Sequence, residues 1–236
     1  MSEVIWDGVT QSKTLNTEAN AVRQRLADVA KAYDWTTTLS ILAENPSLIN
    51  STRPDGQSGY AVLHQAAHGC APSVVIQQLI NCGAWRSLRT TKGERAVDVA
   101  QRQGHTQLVD LLTPRLKPEV SLTTIQAIQR HFHVVILTRA EELIHEHAVR
   151  LPELEPLLEL DTAKVWFPVP GMYGGFSYEL STVSYAPVLI STSWSRVSGG
   201  SGQRHVVSPH GNLLLEEGNF AIIGGNYAAL TFFKGF

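Results

Sequence analysis

One sequence pattern occurs twice in the first half of the chain, and it limits the fold more than any other feature. The first copy is Gly59-Tyr-Ala-Val-Leu-His-Gln-Ala-Ala67, and the second starts 34 residues later as Gly93-Glu-Arg-Ala-Val-Asp-Val-Ala100. A period of about 33 residues is typical of stacked helix pairs, in which each pair buries its apolar face against the next. The pattern therefore predicts a helical repeat unit in the N-terminal half.

Composition and charge exclude several classes of protein. The chain has 236 residues, of which 43% are hydrophobic and 17% charged, so it is long and apolar enough to bury a core. The formal net charge is −2, and the sequence has no blocks of like charge. This argues against a basic surface that binds the phosphates of a nucleic-acid backbone. We therefore expect no nucleic-acid partner.

The two cysteines and the apolar segments predict the compartment. Cys70 and Cys82 fall at core-like positions of the repeats, so we expect both to be reduced and buried. The first residues lack a basic segment followed by an apolar one, and no apolar run approaches the ~20 residues that span a bilayer. These observations predict a soluble, cytoplasmic protein without a membrane partner.

Residues before the first copy extend the repeat region. Thr17 is the expected cap of a helix with apolar positions at Val22, Leu26 and Val29, and this helix would begin the stack. A second apolar helix should follow Asp34-Trp35 and end at Asn45-Pro46. The region then holds one degenerate and two clear units, close to the ~3 that a stack needs for stability.

These motifs resemble the ankyrin-repeat family over about residues 34–113. The resemblance implies a fold that binds proteins, with the turns at Gly83 and Gly104 and a core that consists of Leu63, Ala66, Ala67, Ile76, Leu79 and Ile80. The family's Thr-Pro pair is replaced by Ala61-Val62 and by Arg95-Ala96, so His64 must find another hydrogen-bond partner. We interpret His64 as a framework residue rather than a ligand or a base.

In this family, partners bind at the hairpin tips and along the inner helices. The tips would carry Arg53, Asp55, Gln57, Tyr60, Trp85, Arg86, Arg89 and Lys92. We predict partner binding by Tyr60, Trp85, Arg86 and Arg89, because Trp and Arg are enriched at interface hot spots. The alternative, in which Trp85 folds back onto the neighbouring hairpin, stays open.

The segment after the repeats is predicted to connect two domains. Ser121 to Val149 has the pattern of one long helix, and a shorter helix should start at Pro152. Its histidines do not form a metal motif: His145 has no histidine four residues later, and the pair Glu142 and His145 has no second pair. We therefore expect neither a metal nor a cofactor.

Short alternating runs from about Lys164 onward predict a small antiparallel β domain of five or six strands. The whole chain is thus predicted to be an α+β protein with an ankyrin-type stack in residues 1–118, connecting helices in 119–160 and the β domain in 161–236. Glycine-rich segments at 171–176 and 198–205 should meet at one edge of the sheet. There we predict an anion site that consists of Tyr173, Trp194, Arg196, Ser201, Arg204 and His205. The alternative is that the second segment is only a flexible hairpin connection.

The two glycine-rich segments also resemble a module found behind ankyrin repeats in uncharacterised bacterial proteins. This resemblance covers about residues 120–220, suggests a bacterial source and supplies no catalytic residues. Residues 219–236 are apolar, and a final hairpin is the most that their pattern predicts.

The leading functional hypothesis is an adaptor: the stack binds a protein, and the β domain binds a second partner or a small anion. The alternative is a hydrolase or transferase with its site at the glycine loops, targeted by the repeats. A contact between Ser201, His205 and an acid would favour the enzyme, whereas the sequence has no Gly-x-Ser-x-Gly motif. The sequence leaves the partner and the oligomeric state open.

Overall fold

The computed structural model describes residues 4–117, 120–160, 164–181, 186–196 and 200–218. Within this part, the protein is mixed α/β, with seven α-helices and one six-stranded sheet. The chain forms two compact units. The helical unit consists of Gly8–Lys117 and His147–Asp161, and the sheet unit of Met1–Asp7, Pro118–Glu146 and Thr162–Phe236. This division differs from the three consecutive segments expected from sequence, because both units are discontinuous in the chain.

Six helices form the helical unit. They are α1 (Thr17–Lys31), α2 (Trp35–Glu44), α3 (Val62–His68), α4 (Ser73–Asn81), α5 (Ala96–Arg102) and α6 (Val109–Leu112). Helix α1 packs on α3 and α3 packs on α5, while α4 contacts α6. Short 3₁₀ turns at Ser12–Thr14, Pro46–Leu48, Thr106–Leu108 and Glu155–Leu158 complete the unit.

The apolar positions expected from the repeats form one core. Leu63, Ala66, Ala67, Ile76 and Leu79 are buried together, and Ile80 is partly buried against them. Alanines on α3 and α5 let the two helices approach closely. Cys70 is half-buried and Cys82 exposed, and both thiols are free, so the prediction that both are buried is wrong.

The starts of α1 and α2 are fixed by short polar side chains. Asn16, not Thr17, caps α1, since its side-chain oxygen accepts from the N–H of Ala19 at 2.8 Å. Asp34 caps α2 by accepting from the N–H of Thr37 at 3.1 Å.

The two sequence copies have matching local geometry. Gly59 and Gly93 both have left-handed φ angles, 63° and 77°. In the first copy, Nδ1 of His64 accepts from the N–H of Ala61 at 3.2 Å. In the second, Asp98 accepts from the N–H of Arg95 at 2.7 Å, at the equivalent position. The hydrogen-bond partner that His64 Nδ1 finds is therefore the backbone N–H of Ala61.

The sheet unit is a meander with strand order β1-β2-β3-β4-β5-β6. Its strands are β1 (Val4–Ile5), β2 (Lys164–Val169), β3 (Gly174–Ser181), β4 (Val188–Ser195), β5 (Ser201–Ser208) and β6 (Gly211–Gly218). The five long strands pair antiparallel, as predicted, whereas β1 comes from the N-terminus and pairs parallel with β2. The sequence analysis missed β1, because two residues carry no periodicity.

Helix α7 (Leu122–Glu146) covers one face of this sheet. Its Phe132 is fully buried, with its ring 5.0 Å from that of Tyr178. The helix is broken at Ala140, where φ is −144°, so the predicted single continuous helix up to Val149 is wrong. No helix in the described part of the chain combines the length and apolar character that a membrane crossing requires.

Two glycines set the distance between the central strands. A Cβ on Gly174 would lie 2.0 Å from the carbonyl oxygen of Trp194, and one on Gly175 would lie 2.1 Å from that of Phe167. The glycines of this segment therefore allow neighbouring strands to lie close together.

Candidate binding site

A cleft with a volume of about 580 Å³ opens in the helical unit. It lies between α1, α3 and the loop of residues 51–60 that precedes α3. Small and apolar residues contribute to its lining: Leu26, Ala27, Ala30, Ala61 and Val62. Its volume is within the range of ~300–1,000 Å³ that ligand sites occupy.

Two tyrosines and a histidine form an aromatic rim on the cleft. The hydroxyl of Tyr33 hydrogen-bonds Nδ1 of His68 at 2.8 Å, and their rings stack at 6.3 Å. The ring of Tyr60 meets His68 edge-on at 6.2 Å, and its hydroxyl accepts from Arg102 at 2.9 Å. Each ring is held by a neighbour, while 41% of Tyr33 remains exposed.

Hydrogen bonds hold the loop of the cleft against α1. Arg53 donates to the side-chain oxygen of Gln24 at 2.9 Å and forms an ion pair with Asp28. The amide of Gln24 in turn donates to the carbonyl of Pro54 at 3.1 Å. The cleft is therefore shaped before any ligand enters, which lowers the entropy cost of binding.

The charge that lines the cleft is positive. Arg23, Lys31 and Arg53 line it, and none of the described lining residues is Asp or Glu. Of the nearby carboxylates, that of Asp28 pairs with Arg53 and compensates its charge. Asp55 accepts from the N–H of Ser12, and hydrogen bonding at Ser12 holds the pKa of Asp55 below its usual range.

Of the four residues predicted to bind a partner, Tyr60 lines the cleft and the other three are engaged within the unit. Trp85 is only 5% exposed, and its backbone N–H donates to the side-chain oxygen of Asn50 at 2.9 Å. Arg86 donates to the carbonyl of Leu111 at 3.0 Å, and burial lowers its pKa. The prediction that Trp85 projects from a tip is wrong: it is buried, as in the alternative that the sequence left open.

The chain's own acidic segment covers the hairpin loop between α4 and α5. Glu155 is buried and pairs with Arg89 at 3.1 Å and also with Arg95. Glu159 accepts from the N–H and the hydroxyl of Ser87, at 2.9 and 2.5 Å, and burial raises its pKa despite these bonds. Arg89 is therefore occupied within the chain.

In the sheet unit, the described residues that flank the second glycine segment lie at the same end of the sheet as the β2–β3 turn. Gly174 pairs with Ser195, which pairs with Ser201. Ser195 also donates to the carbonyl of Met172 in the β2–β3 turn at 2.8 Å. Residues 197–199 lie outside the described residues, so the meeting of the two segments stays a prediction.

The predicted anion-site residues nevertheless do not converge. Side chains alternate along a strand, so Arg204 and His205 lie on opposite faces of β5. Trp194 shares the face of Arg204, which lies 3.9 Å from Glu216, and Ser201 shares the face of His205. At the loop end, Tyr173 is 76% exposed and Arg196 is exposed. The expectation of one pocket containing both basic residues is wrong.

The catalytic arrangement weighed from sequence is also not formed. Ser201 and His205 lie four residues apart on one strand, about 13 Å, well beyond hydrogen-bond reach. The hydroxyl of Ser201 instead accepts from Arg139 at 2.9 Å. Among the described residues, no group of three or more His, Cys, Asp or Glu is placed to hold a metal ion.

Sequence reasoning missed two residues that form the aromatic rim. Tyr33 had the spacing of a core position on α1, but the helix ends at Lys31 and Tyr33 takes a φ of 61° that turns the chain toward α2. His68 lies four residues after His64, one helical turn on, and Tyr60 contacts both rings. This i, i+4 histidine pair was the available signal.

Comparisons with known proteins identify no family for this chain. No protein-family model matches it, and no curated protein does. It is similar to a chain in the solved complex of a predatory endopeptidase from Bdellovibrio bacteriovorus with an immunity protein, at 31% identity and a TM-score of 0.31. The match spans 37% of this chain and 42% of that one, and at this TM-score it supports no conclusion about fold or function.

Proposed function

We propose that the helical unit is an ankyrin-type stack and that the protein is an adaptor which binds a partner protein in the cleft. Two sequence copies 34 residues apart, the matching left-handed glycines at their starts and the packing of α3 against both α1 and α5 support the stack. The single observation that carries the binding function is the preformed cleft with its aromatic rim.

The cleft is a better candidate for the partner surface than the hairpin tips. Tyr33 and Tyr60 offer large, rigid contact areas, and aromatic residues are enriched at interface hot spots. By contrast, Glu155 and Glu159 of the chain itself already bind the loop that carries Arg89. A partner at that loop would have to displace them.

Photo-crosslinking in the native cell tests this proposal. A photoreactive residue replaces the exposed Gln57, which lines the cleft, and in a matched control replaces the exposed Gln78 on α4. We expect the Gln57 position to give a discrete protein adduct that the Gln78 position does not give. The adduct should disappear when His68→Glu is added, because that change places a carboxylate in the aromatic rim.

The proposal fails if both positions give the same adducts, or if a discrete adduct at Gln57 persists in the His68→Glu variant. Circular dichroism of each variant establishes that the helical unit is folded.

A further inference from the structure

We propose that the cleft binds a proline-rich segment of its partner, held in the polyproline II conformation. This inference rests on the proposed function and adds the kind of partner. It depends on the aromatic rim of Tyr33, Tyr60 and His68 and on the hydrogen-bond donors beside it, and not on the charge of the lining.

The charges of the lining are largely used within the chain. Arg53 forms an ion pair with Asp28, and Arg23 is buried and already engaged. Of the lysines and arginines in the described lining, this leaves Lys31, which is exposed at the end of α1. A strongly charged segment would therefore gain little in the cleft, and we expect uncharged contacts to supply the affinity.

Tyr33 is held in its position on the rim by its neighbours. Its ring stacks with those of Trp35 and His68, with centroids 6.0 and 6.3 Å away, and its hydroxyl bonds Nδ1 of His68. Tyr33 keeps a left-handed φ of 61°, which L residues rarely adopt. Gly69 makes this arrangement possible, because a Cβ at that position would overlap the Tyr33 ring. The ring is therefore a fixed platform before a partner arrives.

Tyr60 supplies a second ring and a hydrogen-bond donor. Its ring meets that of His68 edge-on at 6.2 Å. Its hydroxyl oxygen accepts from Arg102 at 2.9 Å, and the hydroxyl proton has no acceptor in the part of the chain that the structure describes. The side-chain amides of Gln57 and Gln65, which also line the cleft, add further donors.

A proline-rich segment complements these features. Polyproline II has no internal hydrogen bonds and its prolines carry no N–H, so its backbone presents mainly carbonyl acceptors. Two residues of this helix advance about 6.2 Å. The separations of 6.3 Å from Tyr33 to His68 and 6.2 Å from His68 to Tyr60 are close to this step.

The architecture of the cleft also favours this partner over a β-strand. A strand would need an open sheet edge to pair with, whereas the cleft is formed by α1, α3 and a loop. Aromatic-lined grooves bind polyproline II segments with little loss of chain entropy, because the conformation is formed before binding.

Selection from a library of displayed random peptides tests the inference on the full-length chain. Peptides that bind are sequenced and compared with the unselected library. We expect proline to be enriched severalfold, commonly at alternate positions. A synthetic copy of an enriched peptide should lose about tenfold in affinity when its prolines become Ala. Its affinity should change little between low and high salt, since uncharged contacts supply it.

Gly69→Ala tests the fixed position of the Tyr33 ring. Gly69 has a φ of −90°, which Ala adopts readily, so the variant acts through the overlap with the ring. We expect the affinity for the proline-rich peptide to fall about tenfold. Gly218→Ala in β6 is the matched control, since a Cβ there meets no atom within 4 Å and should leave the affinity unchanged. Circular dichroism establishes that both variants are folded.

A double variant separates displacement of the ring from a general loss of structure. Tyr33→Ala removes the ring and should weaken the peptide about as much as Gly69→Ala does. With the ring gone, Gly69→Ala should neither lower the affinity further nor destabilise the protein. Additive losses of affinity would contradict the role of Gly69 in positioning Tyr33.

Other outcomes overturn the inference as a whole. Enrichment of acidic peptides or of amphipathic helices, without an excess of proline, would keep the protein-binding function but assign another class of partner. A selection without binders would contradict recognition of a short segment. Proline-rich peptides whose affinity falls steeply with salt, or falls equally in Gly69→Ala and Gly218→Ala, would show non-specific binding. Failure of the crosslinking experiment above would instead remove the proposed function itself.

Discussion

At the scale of single residues, His64 links the first repeat copy to the loop that precedes the second. Its Nδ1 accepts from the N–H of Ala61, and its Nε2 hydrogen-bonds the carbonyl of Leu88 in that loop at 3.0 Å. This pattern requires the neutral ring with the proton on Nε2, since Nδ1 must accept. Burial lowers the pKa of His64 to about 4.

The stability of the helical unit should therefore depend on the protonation of His64. Its folded pKa lies below its ordinary value of 6.5, so the unfolded chain binds more protons between about pH 6.5 and pH 4. The contribution of neutral His64 to the free energy of unfolding is fully present above about pH 6.5. It is lost as the pH falls toward 4, by about 3 kcal/mol in total. Chemical denaturation at several pH values measures how steeply the free energy of unfolding depends on pH.

The variant His64→Asn separates this effect from other titrations. Asn can still accept from the N–H of Ala61, as Asp98 accepts from Arg95 in the second copy, but it does not titrate. The variant should be less stable at pH 7, with a smaller loss on acidification. If the free energy of unfolding depends on pH equally steeply in the unchanged protein and in His64→Asn, the assignment to His64 is contradicted.

At the scale of elements, Glu155 is a buried polar contact of residues 147–161, the segment that returns to the helical unit after α7. It is 7% exposed, and its carboxylate contacts Arg89 and Arg95. Glu155→Gln should cost about 1–3 kcal/mol, discounted because both arginines are partly exposed. The exposed Glu44→Gln should be nearly neutral. Calorimetric unfolding compares the two, and similar losses for both would argue against a specific role of Glu155.

The glycine-rich start of β3 gives a second prediction for an element. Gly175→Ala places a Cβ 2.1 Å from the carbonyl oxygen of Phe167, so the strands must separate locally. We expect a loss of about 1–3 kcal/mol, typical of overpacking. Gly218→Ala is the matched control in β6, since a Cβ there meets no atom within 4 Å. If both variants unfold alike, close strand approach is not the reason for this glycine.

The sequence predicted those elements whose residues repeat with a clear period. The apolar spacing around Leu63 and Leu79 predicted buried helix positions, and the alternation from Phe176 to Leu180 predicted a strand. Contacts distant in sequence were not predictable in this way. The backbone N–H of Trp85 donates to Asn50, 35 residues away, and Arg89 donates to Glu155, 66 residues away. No local sequence pattern contains these pairs.

The anion-site prediction failed for a different reason, which strand geometry explains. Arg204 and His205 are neighbours in sequence, and their basic character suggested a shared ligand. Once residues 201–208 form a strand, neighbours must face opposite sides of the sheet. The cleft was missed because its rim combines Tyr33 and His68, 35 residues apart, with Tyr60.

At the scale of the whole molecule, the chain leaves the helical unit and later returns to it. Residues 8–117 form most of that unit, and residues 147–161 come back after α7. The returning segment adds Glu155 and Glu159 to one loop, and its Leu158 accepts a backbone hydrogen bond from Lys117 at 2.9 Å. A boundary near residue 118, as the sequence suggested, would separate these contacts.

A fragment of residues 8–117 should therefore be less stable than the same unit in the intact chain. Adding a synthetic peptide of residues 147–160 should raise its unfolding temperature in a saturable manner, because a ligand that binds only the folded state stabilises it. The peptide with Glu155→Gln and Glu159→Gln should require a much higher concentration, since it lacks the carboxylates that bind Arg89, Arg95 and Ser87. Calorimetry with increasing peptide measures both effects. A fragment as stable as the intact chain, indifferent to either peptide, would mean that the returning segment rests on the repeats without stabilising them.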